Sequence, residues 1–293
     1  MNDKIAENLG LLLRNKSPDT RRQYLYYIEE FLKFAGTEGP YDEWTIRRFS
    51  ESLEKKGYSA SYVSVAFWAV KLLLKAQNQA LKITLGELLP KEEKKRQPTM
   101  EMEDVRRLIG AVKLREMQLQ KALLGQPDNK QLGMALRTTR LQKVLLALSS
   151  TYGLRQSELG AVSQEDLNLL ERTILIRTKK GGRTRRHYLP DEILPIVGNF
   201  SFDGALHPTT LNIIFKQICA LAGVKREKRE VWHSIRRRLL VELINARLPD
   251  EVVYSFMRWK RREMPMISVY YNPKDEDVDR QVFAVHPFVG EWR

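Results

Sequence analysis

The sequence predicts a mainly α-helical protein of two domains, the second carrying a small antiparallel sheet. Three observations predict it. Most of the 293 residues fall into stretches whose apolar side chains recur at three- and four-residue spacing. Two short β-type runs, "RTILIRT" and "RRHYLP", stand on either side of "KKGGR" and read as one hairpin. The stretch "LPKEEKKRQPTM" has flanking prolines, dense charge and almost no apolar content, so it reads as an exposed linker. A chain of this length also exceeds the usual size of a single core. The expected division is residues 1–90, a linker at 91–98, and a second domain at 99–293.

The elements follow in order. "SPDTRRQYLYYIEEFLKFAG" reads as a helix capped by Ser17, with Pro18 in its first turn. Tyr24, Tyr27, Ile28, Phe31 and Phe34 form its apolar stripe, and Gly36 ends it. "YDEWTIRRFSESLEKKGY" makes a second helix, ending near Gly57, and "SASYVSVAFWAVKLLLKAQN" a third, capped by Ser59 or Ser61. Past the linker, "TMEMEDVRRLIGAV" is an amphipathic helix and "KALLGQPDNKQLG" a polar loop. Helix resumes through "TTRLQKVLLALSSTYG" until Gly153 breaks it. After the hairpin, "HPTTLNIIFKQICALAG" opens another helical region. Cys219 within it is expected to be a small buried core residue, and Tyr254 is expected in the core beside Val252 and Phe256. The end, "VFAVHPFVGEWR", is apolar enough to dock on its own chain or on a neighbour.

Composition narrows the function. The best membrane candidate, "VSVAFWAVKLLLKA", is interrupted by Lys71, so no span is expected. The first residues lack a basic segment followed by an apolar one, so no secretion signal is expected. One cysteine makes neither an internal disulfide nor a thiolate zinc site. The expected compartment is the cytoplasm, with the nucleoid. The formal net charge is +14, and a basic folded chain most often meets a polyanion, nucleic acid being the commonest. Residues 1–98 hold 17 basic and 13 acidic residues, the remainder 33 and 23. The excess sits in clusters: "TKKGGRTRRH", "VKREKRE", "SIRRRL" and "MRWKRR".

The run "VWHSIRRRLL" places His233 three residues before Arg236. On a helix, His233, Arg236 and Arg237 share a face, while Arg238 points elsewhere. A histidine beside cations has its charged form disfavoured, so it stays neutral and able to accept a proton. Arg155 lies just past a helix break, with Glu158 one turn on. Lys179 and Lys180 stand at the hairpin tip, and Trp259 and the pair Tyr270–Tyr271 follow. His187, His207 and His286 read as strand, turn and tail residues without a partner set.

This ordered set resembles the tyrosine recombinases, the phage-integrase family, over nearly the whole chain. "GLRQSEL" is similar to the family's first arginine box, "IRTKKGGRTRRHYLP" to its lysine hairpin, "HSIRRRL" to its second arginine box, and "ISVYYNP" to its tyrosine box. The helices from "SPDTRRQY" to "SASYVSVAFWAVKLLL" resemble its core-DNA-binding domain, a SAM-like helical fold. Arg237 stands where members often carry histidine, and Arg258 where they usually carry glycine. The chain enters the core-binding domain almost at once, like the simple Xer- and Cre-type members without an arm-binding domain.

The resemblance implies a site-specific recombinase that cuts and rejoins DNA through a 3′-phosphotyrosyl intermediate, without metal, ATP or cofactor. Arg155 and Arg236 would neutralise the phosphate oxygens, which planar guanidinium groups bind bidentately. Tyr270 would be the nucleophile, with Tyr271 the alternative. A phenol with a pKa of about 10 needs a proton acceptor, and His233 takes that role. Lys179, or equally Lys180, would protonate the departing 5′ oxygen. Trp259 would donate its indole N–H to a phosphate oxygen, and Glu158 would support the site. Arg21, Arg22, Lys71, Lys75, Lys180, Arg183 and Arg185 are the expected DNA contacts. The implied partners are a double-stranded target site and further copies of the chain, as a tetramer on paired sites that trades a C-terminal segment. Two other functions remain open: a type IB topoisomerase-like relaxase, and a catalytically silent sequence-specific DNA-binding protein.

Overall fold

The computed structural model describes residues 3–37, 39–89, 99–178, 182–225, 231–259 and 274–293. The chain forms two compact units, residues 1–96 and 97–293. No helix among the described residues is long and apolar enough to cross a membrane.

The first unit is helical. It comprises α1 (Asp3–Leu13), α2 (Pro18–Ala35), α3 (Glu43–Lys55), α4 (Ala60–Ala76) and the single turn α5 (Leu85–Leu88). The side chain of Ser17 accepts the Thr20 N–H, Asp42 caps α3, and Ser59, not Ser61, caps α4. Helix α4 is apolar almost all round and is therefore central: α1, α2 and α3 all pack on it. Val63, Phe67, Val70, Leu73 and Leu74 are buried there, each contributing about 1.5–3 kcal/mol. Helix α1 goes beyond the sequence expectation; Leu9 and Leu13, four residues apart, are the buried positions that carry it. The α2 stripe is narrower than expected. Tyr27, Ile28 and Phe31 are buried, but Phe34 lies 45% exposed in the last turn, its ring beside Phe49.

The second unit begins with a long helical hairpin, α6 (Met102–Gly125) and α7 (Lys130–Tyr152). Here the loop expected over "KALLGQPDNKQLG" shrinks to Gln126–Asn129. Asn129 caps α7 by accepting the Leu132 N–H, and four residues are enough to reverse two antiparallel helices. From Val144 to Tyr152 every residue of α7 is buried, so its end is the core of the unit. There follow α8 (Gln156–Leu159), β1 (Leu167–Asn168), β2 (Thr173–Ile176) and β3 (Arg185–Tyr188). The sheet is antiparallel in the order β1-β2-β3, with Thr173 opposite Tyr188 and Ile176 opposite Arg185. Strand β1 is an addition to the expected hairpin, being too short to show a period.

Among the described residues, four larger helices follow the single turn α9 (Leu194–Gly198): α10 (Pro208–Leu221), α11 (Trp232–Asn245), α12 (Asp250–Phe256) and α13 (Asp275–Ala284). Cys219 is buried on α10. Helix α13 packs against both β3 and α12. The C-terminal residues dock on their own chain: Phe288 and Trp292 are buried, and the Trp292 indole N–H donates to Ser150 Oγ at 3.2 Å.

Candidate active site

The site is built where α7 stops. Gly153 ends that helix in the left-handed region (φ 55°), and a Cβ there would lie 3.2–3.4 Å from Met257, Leu239 and Arg236 side-chain atoms. The tight turn delivers Arg155 to the start of α8. Glu158 Oε2 accepts the Arg155 backbone N–H at 2.9 Å, and Oε1 accepts from the guanidinium at 2.7 Å. Glu158 is buried, whereas the Arg155 side chain keeps 21% of its surface open.

Helix α11 supplies the second arginine. Trp232, Ile235, Leu239 and Leu243 form its core stripe, and the Trp232 indole N–H donates to the Leu211 carbonyl at 2.8 Å. That anchoring turns Arg236 inward, where it donates to the carbonyls of Gly153 and, at 2.7 Å, Met257. Arg236 is 3% exposed. Burial, then Arg258 and Arg155, lower its pKa, yet a guanidinium remains charged at neutral pH. His233 is half-buried one turn before it. Burial first, then Arg236, Arg237 and Arg155, push its imidazole down to about 4. Arg238 points away, binding the Met100 carbonyl, Glu101 and Glu242.

Residues 257–259, just after α12, add to the site. Arg258 has φ 59° and a wholly buried side chain. Its guanidinium donates to Glu158 Oε2 at 3.1 Å and to the Phe256 and Tyr152 carbonyls, both at 3.1 Å. Its carbonyl accepts the Arg183 N–H at 3.2 Å. The Trp259 ring packs against Tyr254 at 5.0 Å, and Tyr254 is half-buried instead of lying in the core. Thr178 Oγ1 donates to Glu158 Oε1 at 3.1 Å. Burial pushes the Glu158 carboxyl up, but Arg258, Arg155 and Arg236 outweigh it and hold the pKa at about 2.

The fold therefore brings Arg155, Glu158, His233, Arg236 and Trp259 into one region of the second unit. Lys179, Lys180, Tyr270 and Tyr271 lie outside the described residues. Of the expected DNA contacts, Arg21 donates to the Arg14 and Lys16 carbonyls, and Arg22 pairs with Asp19 at an exposed 2.6 Å. Lys71 lies 5.1 Å over the Trp68 ring, and Lys75 is exposed. Arg183 is half-exposed, 3.6 Å from Asp275. Arg185 is a correction. It is 1% exposed and paired with Asp279 at 2.8 Å and Asp275 at 3.2 Å, so it is not available to a DNA phosphate. Strand alternation turns it inward with His187, while Arg186 and Tyr188 face out.

The three other histidines sit on strand, turn and tail as expected, but each has a partner. His187 is buried between Asp279, 3.2 Å from Nδ1, and Arg258, 3.0 Å from Nε2. His286 bonds the Thr151 carbonyl, and His207 caps α10 by accepting the Thr209 N–H. Sequence reasoning missed Arg258, His187, Asp279 and Thr178 as members of the site's surroundings. Only the two-residue spacing of Arg185 and His187 signalled a shared inward face. Among the described residues no group of three His, Cys, Asp or Glu side chains is placed to hold a metal ion. What the arrangement offers is a cluster of cations beside a neutral imidazole, suited to an anion whose reaction releases a proton.

Comparison with known proteins points the same way. The model of the phage integrase family matches residues 113–277. The tyrosine recombinase XerA of Pyrococcus furiosus is 25% identical over 262 residues, covering 83% of this chain and 82% of that protein. The XerA of Thermococcus kodakarensis is 24% identical, with 82% of each chain covered. In fold, the chain is similar to a lambda integrase tetramer bound to a Holliday junction. That match has a TM-score of 0.63 and 10% identity, and covers 93% of this chain and 77% of that one. It is also similar to the Tn1549 transposon integrase in complex with transposon right end DNA. There the TM-score is 0.60 at 13% identity, with 96% of this chain and 98% of that one covered.

Proposed function

The chain belongs to the phage integrase family, and from that premise we propose that it is a tyrosine-type site-specific DNA recombinase working through a 3′-phosphotyrosyl intermediate. The observation that carries this reading is the convergence of Arg155 and Arg236 from distant parts of the chain, Arg236 donating to the carbonyl of Gly153 in the turn that delivers Arg155, with His233 one helical turn before Arg236.

The phosphodiester enters with its two non-bridging oxygens on Arg155 and Arg236. Their fixed positive charge is worth most as the phosphorus becomes five-coordinate. The Tyr270 hydroxyl attacks the phosphorus, and its proton passes to His233. The bond to the 5′ oxygen breaks, and Lys179 supplies that oxygen's proton. One phosphate ester replaces another, so the broken bond's energy is kept. A 5′ hydroxyl from the same or another duplex then reverses the step, with neither ATP nor metal required. Trp259 offers an indole N–H for a phosphate oxygen. Arg21, Arg22, Lys71, Lys75, Lys180 and Arg183 hold backbone phosphates. Four copies on paired sites would carry the exchange, in the nucleoid of the cytoplasm. The domain reading is a core-binding unit before the linker at 91–98 and a catalytic unit after it.

The test is covalent trapping on nicked suicide duplexes cut from DNA flanking the coding region. The expected result is an adduct that survives denaturation, forms in the presence of chelator, and disappears with Tyr270→Phe. Persistence in that variant and loss in Tyr271→Phe moves the nucleophile. Binding without adduct identifies a silent DNA-binding protein, and relaxation of plasmid lacking any cognate site identifies a relaxase.

A further inference from the structure

The wholly buried guanidinium of Arg258 faces five acceptors: Glu158, His187, and the carbonyls of Phe256, Tyr152 and, at 3.4 Å, Gly153. Its backbone makes this placement unfavourable. At φ 59° a glycine is at ease and a side-chain-bearing residue is strained. A cation held without water adds a desolvation penalty. An arginine kept against both effects points to a task for its side chain.

We propose that Arg258 is a positioning residue: it holds the Glu158 carboxylate in the orientation that aims Arg155, and ties that carboxylate through His187 and Asp279 to α13. The inference rests on the recombinase reading above. Glu158 is the hub. Its Oε1 takes Arg155 and Thr178, and its Oε2 takes the Arg155 N–H and Arg258. With Arg258 present, the carboxylate is anchored from behind and Arg155 is held at its open end. Without Arg258, the buried carboxylate keeps Arg155 as its guanidinium hydrogen-bond donor, with Arg236 acting only through space, and draws Arg155 inward or swings towards it. Either movement shifts the guanidinium from the phosphate it serves.

The other end of the chain of bonds is equally definite. His187 Nε2 accepts from Arg258, so its Nδ1–H faces Asp279 Oδ1. Asp279 also accepts from Arg185 and from the Tyr188 backbone N–H at 2.7 Å. One connected set of buried polar groups thus runs from the turn carrying Arg155, through β3, to α13. The hairpin arms join it too. The Arg258 carbonyl accepts from Arg183, and a Cβ on Gly182 would lie 2.6 Å from that oxygen. Such networks rigidify a site; here the two terminal nitrogens of Arg258 carry the bonds, while its Nε is buried without a partner among the described residues.

The experiment measures single-turnover adduct formation and duplex affinity for the parent, Arg258→Gly, Glu158→Gln and the double variant. Arg258→Gly suits the backbone and removes only the side chain. It should slow the covalent step about 10- to 100-fold, the scale of a misaimed group, with Kd within about threefold of the parent. The double variant should be no slower than Glu158→Gln alone. Arg258→Lys, which restores a charge beside Glu158, should recover at least about half of the logarithmic loss. Parent-like rates in Arg258→Gly, independent multiplication of the two losses, or no recovery in Arg258→Lys overturns the proposal. If Arg258→Gly does not fold, Arg258→Gln is judged by the same rate and additivity criteria. Failure of both to fold also overturns it, since Arg258 would then serve stability alone. A parent that forms no adduct refutes the recombinase reading before any variant is compared.

Discussion

The Nε2–H of His286 donates to the carbonyl of Thr151 at 2.9 Å, across 135 positions of chain. Its Nδ1 accepts the backbone N–H groups of Phe288 and Val289, both at 3.2 Å. Only a neutral imidazole does both. His187 is neutral for a similar reason, accepting from Arg258 on one nitrogen. Burial pushes both rings down to about 4, partly offset by Asp279 at His187.

The pH dependence of stability follows. The unfolded chain takes up these protons near pH 6.5, whereas the folded one resists them to about pH 4. Stability is therefore full above pH 6.5 and falls as pH drops from there towards 4, by about 3 kcal/mol for the wholly buried His187. Urea midpoints from pH 8 to 4.5 measure it. A profile flat over that window contradicts the neutral-imidazole assignment.

The tail is part of the core. Val278, Val282, Phe288 and Trp292 all join the buried cluster of the second unit. Trp292→Ala should cost about 3–5 kcal/mol. Deleting 276–293 should unfold the unit, so any loss of assembly on DNA would follow from loss of fold. Thermal melts decide this; an unchanged Tm for Trp292→Ala would place the indole outside the core.

The two arginines should separate in stability while agreeing in chemistry. Arg155→Ala and Arg236→Ala should each lower adduct formation by about 10²–10³-fold. Arg236 also holds the Gly153 and Met257 carbonyls in the interior, so its loss should lower Tm by several degrees more. Equal melts for the two variants would contradict the buried placement of Arg236.

DNA contacts read out as salt dependence. Lys75→Ala should weaken duplex binding and flatten the slope of log K against log salt by about 1. Arg185→Ala should leave the slope unchanged and cost about 3–5 kcal/mol of stability, because it leaves the buried Asp279 carboxylate without its paired cation. A flattened slope in a well-folded Arg185 variant would restore it as a phosphate contact.

Local order was legible where short-range forces dominate. Ser17, Pro18 and Gly36 bracket α2 as their chemistry requires. The glycine-bearing hairpin pairs β2 with β3, and His233 stands beside Arg236 because one helical turn puts it there. The α6–α7 hairpin was less legible. Its polar residues suggest a long loop, but a surface helix tolerates polar residues wherever its other face is covered.

By itself, the sequence determined the helical class, the basic character, the helix caps and the order of the arginine and histidine motifs, all of them properties of neighbours along the chain. Tertiary structure alone decided that Arg185 turns inward, that His187 is buried and His286 half-buried with both rings neutral, and that Arg258 meets Glu158. The physical reason is that burial sets the energy of a charge, and burial depends on partners separated by a hundred residues or more.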